Sequence, residues 1–485
     1  MIGADAEPPP PSRGRVWTRR LFYGALAMTT IAYGSASRLQ GDIAAMAFAL
    51  TSLLSLAEPI VGRRVLALRT FALLLATVLA GYAFVQTLPL PLGSPYANAA
   101  WGVLDIFGPA QHYISLAPGA TRDALPSLLL PFLVFACALS LFQGDDDAIQ
   151  LWRALAYFGA GCAAFGIFQE VLFPEQLLLE AKKHYVGYLT ATFVNRNTAG
   201  TFFGVALALN LSLLFGELKT ISLSSLLEKA ARFDIVWPSR HARVVLQALL
   251  CVFAAAALFL TASRGAVGAS FAAVTMEIGL FALRPITRDK PITVVEKWRR
   301  PAALAVAVAF TFGVFSLFGE RSTYRMQESG TGDGRWCAFA STWDAIRDNW
   351  RFGAGYAAFQ DTFPRYRYPD CAGFLGVWER AHNIYLEGFL GFGAGFAAVA
   401  GLGILVLAGA LGRGVRKRRR PGFVAVGGAA ALVLVLLHGL VDFSLQIPGF
   451  NVYFAAAMAA ATTVSLGRWR GGKPLSPLSR EAPGA

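Results

Sequence analysis

Charge is scarce in this sequence: Lys, Arg, Asp and Glu make up 15% of 485 residues, against 55% hydrophobic. Mean hydropathy is +0.51, and a water-soluble domain needs far more charged surface than this to stay dispersed. Acidic residues are the scarcer sign, 29 against 43 basic, leaving a formal charge of +14. That surplus does not point to nucleic acid. The Lys and Arg residues sit in short clusters between apolar runs of about 20 residues, the length that crosses a bilayer core. No Gly-rich phosphate loop, Cys/His metal spacing or Gly-x-Ser-x-Gly elbow is found, so no cofactor or metal is expected. The run Asp145-Asp146-Asp147 superficially suits a divalent cation, but acidic residues just before a span also suit a helix N-terminus.

What the sequence does have is long apolar runs. They predict an all-α polytopic membrane protein of about a dozen transmembrane helices, at roughly 21–37, 43–62, 66–88, 124–143, 152–174, 190–216, 245–262, 266–283, 301–319, 384–412, 422–440 and 447–467. The proline run Pro8–Pro11 and Arg13, Arg15, Arg19 and Arg20 precede the first run with no clean small-residue cleavage site, so an uncleaved first helix is expected. With the N-terminus inside, 29 of the 43 basic residues fall on the cytoplasmic side, and eight of the other 14 lie in the single loop 320–382. Long loops translocate largely regardless of charge, so the short-loop contrast is sharper still, and both termini are expected in the cytoplasm.

The organisation follows: a basic, Pro-rich N-terminus (1–20), N-terminal spans (21–183), a central membrane region (184–319), a large outward loop (320–382), C-terminal spans (383–467) and a cytoplasmic tail (468–485). A second outward segment, 89–123, is also too long for a plain turn. In the large loop Trp336, Phe339, Trp343 and Ile346 recur at helical spacing, predicting an amphipathic helix on the membrane face. Of five cysteines, Cys137, Cys162 and Cys251 fall within spans. Cys337 and Cys371 share the outward loop, where they either pair as a disulfide or stay two free thiols.

Ionisable groups near membrane depth need a reason, and four places stand out. Asn195-Arg196-Asn197 opens a span from the outer side; its arginine either snorkels at the interface or faces a ligand. Ser263-Arg264-Gly265 is a sharp polar break between two spans, and a tight turn there does not need the guanidinium, whose five fixed donors suit phosphate oxygens. Arg335 begins the loop helix, beside N–H groups that favour anions, or else is a solvated arginine on the polar face. His382-Asn383-Ile384-Tyr385-Leu386-Glu387 begins the span after the loop, where a neutral imidazole is available as a base and Asn383 and Glu387 are spaced i, i+4. Under the charge-derived topology all four converge on the outer side. Three arginines, a histidine and a lid-like loop there suggest a site for a pyrophosphate whose lipid tail stays in the bilayer.

At these motifs the chain resembles the bacterial O-antigen ligase and polymerase superfamily. The matching stretches are Phe193–Asn197, Ser263-Arg264-Gly265, Arg335 with Trp343 and Gly353-Ala354-Gly355, and Ala381–Glu387, and the resemblance covers roughly residues 185–410. It implies a metal-independent, inverting glycan transfer at the periplasmic face of the bacterial inner membrane. The donor would be an undecaprenyl-diphosphate-linked glycan and the acceptor a lipid or polysaccharide hydroxyl. Residue by residue, Arg264 and Arg335 would neutralise the diphosphate and His382 would take the acceptor proton. Asn195, Arg196, Asn197, Ser263, Asn383, Tyr385, Glu387 and Asp442 would contribute to substrate binding. Family members often carry another residue than arginine between the two asparagines. His438 and Asp442, on one expected helix face, look family-like and would support the site. A transporter is the competing class. Transporters place charges near the bilayer midplane and use repeated halves, whereas here the charges hug the outer rim and no internal repeat is found.

Overall fold

The computed structural model describes residues 12–60, 62–108, 110–218, 239–283, 334–368, 376–418 and 421–467. The main helices are α1 (Arg13–Ile31), α2 (Arg38–Leu56), α3 (Arg63–Val85), α4 (Leu125–Leu141), α5 (Asp145–Leu172), α6 (Arg196–Leu218), α7 (Ser239–Leu260), α8 (Arg264–Leu283), α9 (Gly334–Asn349), α10 (Ile384–Phe392), α11 (Gly395–Lys417), α12 (Gly422–His438) and α13 (Pro448–Leu466). A two-stranded hairpin, Gln176–Leu177 with Glu180–Ala181, is the only sheet among the described residues. Among those residues nine helices are long and apolar enough to cross a membrane, α4 being counted with the short turn that precedes it. The protein is an all-α polytopic membrane protein. The expected span 301–319 and the tail 468–485 lie outside the described residues.

Burial separates a core from a lipid-facing ring. In α13, 94% of the apolar window is buried and in α6 72%, but in α11 only 11%. A helix apolar all round sits either in a core or in lipid, and α13 and α6 take the first role. Small residues let their neighbours close in, as membrane helix packing requires. A Cβ on Gly159 of α5 would stand 2.6 Å from both Ala206 Cβ of α6 and Tyr453 Oη of α13.

The helix ends sort into two faces. At one, Arg15 and Arg19 at the start of α1 donate to the Leu141 carbonyl that ends α4, and Arg19 pairs with Asp147. Arg418 after α11 pairs with Asp145 and donates to the Gly467 carbonyl after α13. Asp145 and Asp147 thus bind helix ends together. At the other face Arg38 pairs with Asp123 at 2.6 Å, and the starts of α6, α8 and α10 meet the end of α12. The ends expected to be cytoplasmic share one face, and the sequence motifs share the other.

One expected span is two helices. The run 384–412 breaks at Gly393, where φ is +66° and a Cβ would lie 2.6 Å from the Arg351 carbonyl oxygen. The loop satisfies the backbone groups that the break frees: Ala354 N–H donates to Leu390 O at 2.6 Å and Ala394 N–H to Trp350 O at 2.7 Å. Hydropathy could not register this, because the freed groups are met by a segment distant in sequence.

The loop helix α9 forms where the periodicity predicts, and mostly small residues make its protein-facing side. Ala338, Ser341, Thr342, Ala345 and Ile346 are buried, whereas Trp336 and Trp343 are 65% and 55% exposed. Ala338, Ala345 and Ile346 join Ala354, Phe359, Phe363, Ala381 and Leu390 in a small core separate from that of the bundle. The first outward loop closes on this unit: Leu116 N–H donates to Ala354 O, and Thr121 Oγ1 to Tyr356 O. Cys337 is engaged in a disulfide, while Cys371 lies outside the described residues; Cys137, Cys162 and Cys251 are free.

Candidate active site

Two short polar turns set the starts of α6 and α8. Asn195 Oδ1 accepts from Asn197 N–H at 2.7 Å and its carbonyl from Ala199 N–H, so Asn195 caps α6. Ala262, held at φ +49°, turns the chain so that the Ser263 carbonyl accepts from Val267 N–H and begins α8. The two caps are bonded to each other, Ser263 Oγ donating to Asn197 Oδ1 at 2.9 Å. Gly200 makes that approach possible, since a Cβ there would stand 2.7 Å from Ala266 Cβ.

Arg196 and Arg264 are therefore the first residues of their helices, and Arg335 is the second of α9. A cation at a helix N-terminus opposes the macrodipole by about 0.3–1 kcal/mol, and the opposition reverses when an anion arrives. Arg264 is exposed. Arg196 is used locally: its guanidinium lies over the Tyr188 and Tyr185 rings, 4.8 and 5.5 Å from their centroids, and donates to Ala262 O at 3.4 Å. Asp333, the residue before α9, lies outside the described residues.

His382 directly precedes the N-cap of α10. Its backbone is left-handed, φ +55°, a conformation that non-glycine residues hold only when their surroundings fix it. On one side Ala381 N–H donates to Glu387 Oε2 at 3.0 Å; on the other Asn383 Oδ1 accepts from Tyr385 and Leu386 N–H. The ring stands edge-on to Trp378 and Phe443 at 5.8 and 5.0 Å. The segment is clamped to the end of α12: Ile384 N–H donates to Gly439 O, Asn383 Nδ2 to Leu440 O and Tyr385 Oη to Leu436 O. Glu387 also pairs with Arg380 at 3.2 Å. Burial works against the Arg380 charge, but Glu387, together with Tyr356 and Glu379, more than offsets it and holds that guanidinium above its ordinary pKa.

Asp442 does not share a helix face with His438, because α12 ends at His438 and Asp442 stands in the turn beyond. Both nonetheless reach one buried cluster. Asp442 Oδ2 accepts from Ser444 Oγ and, at 2.8 Å, from Ser444 N–H. Ser444 Oγ is 2.8 Å from Thr201 Oγ1, which is 2.7 Å from His438 Nδ1. These groups line a small pocket with Ile384, Val435, Gly439 and Leu445. The Cδ2–Nε2 edge of His438 rests on Gly265, where a Cβ would fall 2.9 Å from Cδ2. Arg335 stands within electrostatic range of the same ring.

All four motif regions thus meet at one end of the bundle. Residues 249–398 match the family described as O-antigen ligase. The match covers about a third of the chain. No curated protein matches the chain. The matched stretch contains Arg264, Arg335 and His382, whereas Asn197 and His438 reach it from outside its limits, with Thr201 bonded to His438. Sequence reasoning missed Thr201, Ser444 and Arg380. A threonine and a serine carry no signal inside apolar runs, and Arg380 reads as one more loop cation. The match, with the apolar helices, supports a multi-pass membrane protein of O-antigen ligase or polymerase type, a family of glycosyltransferase-like enzymes acting on lipid-linked glycans.

Proposed function

We propose that the protein transfers a glycan from undecaprenyl diphosphate to an acceptor hydroxyl at the periplasmic face of the bacterial inner membrane, by a metal-independent, inverting displacement. The observation that supports this reading best is that arginines open α6, α8 and α9 at the end of the bundle where the His382 segment is clamped to the end of α12. Cations at three helix N-termini are unfavourable among themselves and favourable around a diphosphate.

The acceptor oxygen attacks the anomeric carbon from the face opposite the diphosphate. The bond from that carbon to the phosphate oxygen breaks, and the acceptor proton passes to His382. Negative charge develops on the leaving diphosphate, so Arg264 and Arg335 carry the larger share of the catalysis, and base assistance adds about 10²–10⁴-fold. Asn195, Asn197 and Ser263 fix the first turns from which the arginines project, and Asn383, Tyr385 and Glu387 fix His382. Asp442 supports the cluster beneath, and Arg196 holds the neighbouring tyrosines where the lipid-linked sugar would enter.

Deleting the gene and analysing surface polysaccharide tests the assignment: unligated lipid-linked polymer is expected for a ligase, and single repeat units would mean a polymerase. Unchanged surface polysaccharide would sink both. In purified protein with a lipid-diphosphate donor, His382→Ala should abolish transfer at unchanged membrane abundance, and full activity would remove the base assignment.

A further inference from the structure

Thr201 has one hydroxyl proton and three acceptors within reach: Asn197 O at 2.9 Å, Ser444 Oγ at 2.8 Å and His438 Nδ1 at 2.7 Å. Suppose the proton goes to Asn197 or Ser444. Thr201 Oγ1 then faces His438 Nδ1 with lone pairs only, and that nitrogen must carry a hydrogen. Suppose instead it goes to His438. Ser444 Oγ must then donate to Thr201, and Asp442 Oδ2 must donate to Ser444. Asp442 Oδ2 already accepts Ser444 N–H at 2.8 Å, so this arrangement protonates an oxygen that is receiving a hydrogen bond. Because Asp442 Oδ2 is the acceptor in that bond, only the first assignment is consistent: His438 Nδ1–H donates to Thr201, and Ser444 Oγ–H is left to the carboxylate. The Asp442 carboxylate is fully buried, and among the described residues no hydrogen-bond partner reaches its Oδ1, which leaves Ser444 as its anchor.

His438 is 2% exposed, and its Cδ2–Nε2 edge rests on Gly265, the residue after Arg264. Burial and the positive end of the α8 dipole both select an uncharged ring there. We propose that Asp442, Ser444 and Thr201 form a hydrogen-bonded array that holds His438 as the neutral Nδ1–H tautomer. Its ring then acts as a positioning strut against the first turn of α8, fixing where Arg264 meets a lipid diphosphate. The Arg264 role rests on the proposed function, but the tautomer does not. His438 is a positioning residue and not a second base, because its ring is enclosed by α6, α8 and α12.

Two measurements on the full chain in lipid bilayers test this. The first is solid-state NMR with ¹⁵N-histidine; the chain has five histidines, and the signal lost in His438→Asn assigns the ring. A protonated Nδ1 with a bare Nε2 is expected, converting to a mixture of tautomers in Thr201→Val. A wild-type Nε2–H tautomer or imidazolium would overturn the array. The second is the Kd for undecaprenyl diphosphate itself. Thr201→Val and Ser444→Ala should each weaken binding by about 10–100-fold, as loss of an outer hydrogen-bond partner typically does, with Thr201→Ser restoring it. Wild-type affinity in both Thr201→Val and Ser444→Ala would overturn the positioning role. A wild-type protein that does not bind the lipid diphosphate would instead end the proposed function, with the NMR result still deciding the array.

Discussion

The Glu387 carboxylate accepts the Ala381 backbone N–H at 3.0 Å and the Arg380 guanidinium at 3.2 Å, closing the short loop on which His382 stands. Glu387 is thereby committed to holding the histidine in its left-handed backbone conformation.

Glu387→Ala should leave the buried Ala381 N–H without an acceptor, a loss of about 1–3 kcal/mol. Transfer is expected to fall far more than thermal stability, since His382 loses its fixed geometry. Glu387→Gln keeps an oxygen for Ala381 and should fall in between. Equal activity of Glu387→Ala and wild type in a donor-to-acceptor assay would mean that the loop holds His382 without this bond.

Arg264→Lys preserves charge and removes the planar fork at the first residue of α8. A strong loss of transfer is expected, on the order of that in Arg264→Ala. Wild-type turnover with lysine would mean that a point charge suffices for the diphosphate. Arg196→Lys, whose native side chain lies over two tyrosine rings, should cost less than Arg264→Lys.

Gly353 holds φ +76°, and a Cβ there would sit 2.3 Å from the Gly391 carbonyl oxygen, a backbone atom that cannot swing aside. Gly353→Ala should therefore strain the contact between the large loop and the break before α11, by about 1–3 kcal/mol. The expected signs are a lower Tm and faster proteolysis within 334–368 while the bundle stays intact. An unchanged Tm and digestion pattern would show that the loop can shift to make room.

Arg418 is only 3% exposed at its side chain and pairs with Asp145. Asp145→Asn should lower thermal stability by several kcal/mol, about 3–5 for removing one partner of a buried pair, discounted because Asp145 is itself one-third exposed. Chelators should leave transfer unchanged, because the aspartate run is spent on helix ends. Chelator-abolished activity would return a metal to the mechanism.

Thiol labelling of the unreduced, detergent-denatured protein should modify Cys137, Cys162 and Cys251 and leave Cys337 unlabelled until a reductant is added. Labelling of Cys337 before reduction would remove the disulfide from the α9 unit.

Much of the candidate site was legible because its costs are local. Arg264 between two spans and Arg335 at the start of a predicted helix are each conspicuous without a structure, since a cation there works against desolvation and the helix dipole. His382 was legible by its company, being followed by a cap residue and an acid one turn on. The partners that hold these groups were not legible. Thr201 and Ser444 are ordinary residues in apolar surroundings, and Asp442 was placed on a helix that ends four residues before it. The break at Gly393 escaped for the same reason: the groups that compensate it, Trp350 and Ala354, lie some 40 residues earlier.

By itself the sequence determined the class of solvent, the helical architecture and the sorting of helix ends. Each of these depends on the apolar length of single segments and on charges beside them, which are local quantities. Tertiary structure alone decided which polar atoms satisfy one another at the end of the bundle where the motifs meet. A buried hydrogen bond joins residues such as Asn197 and Ser263, or Thr201 and His438, that are 66 and 237 positions apart. No periodicity along the chain encodes a distance of that kind.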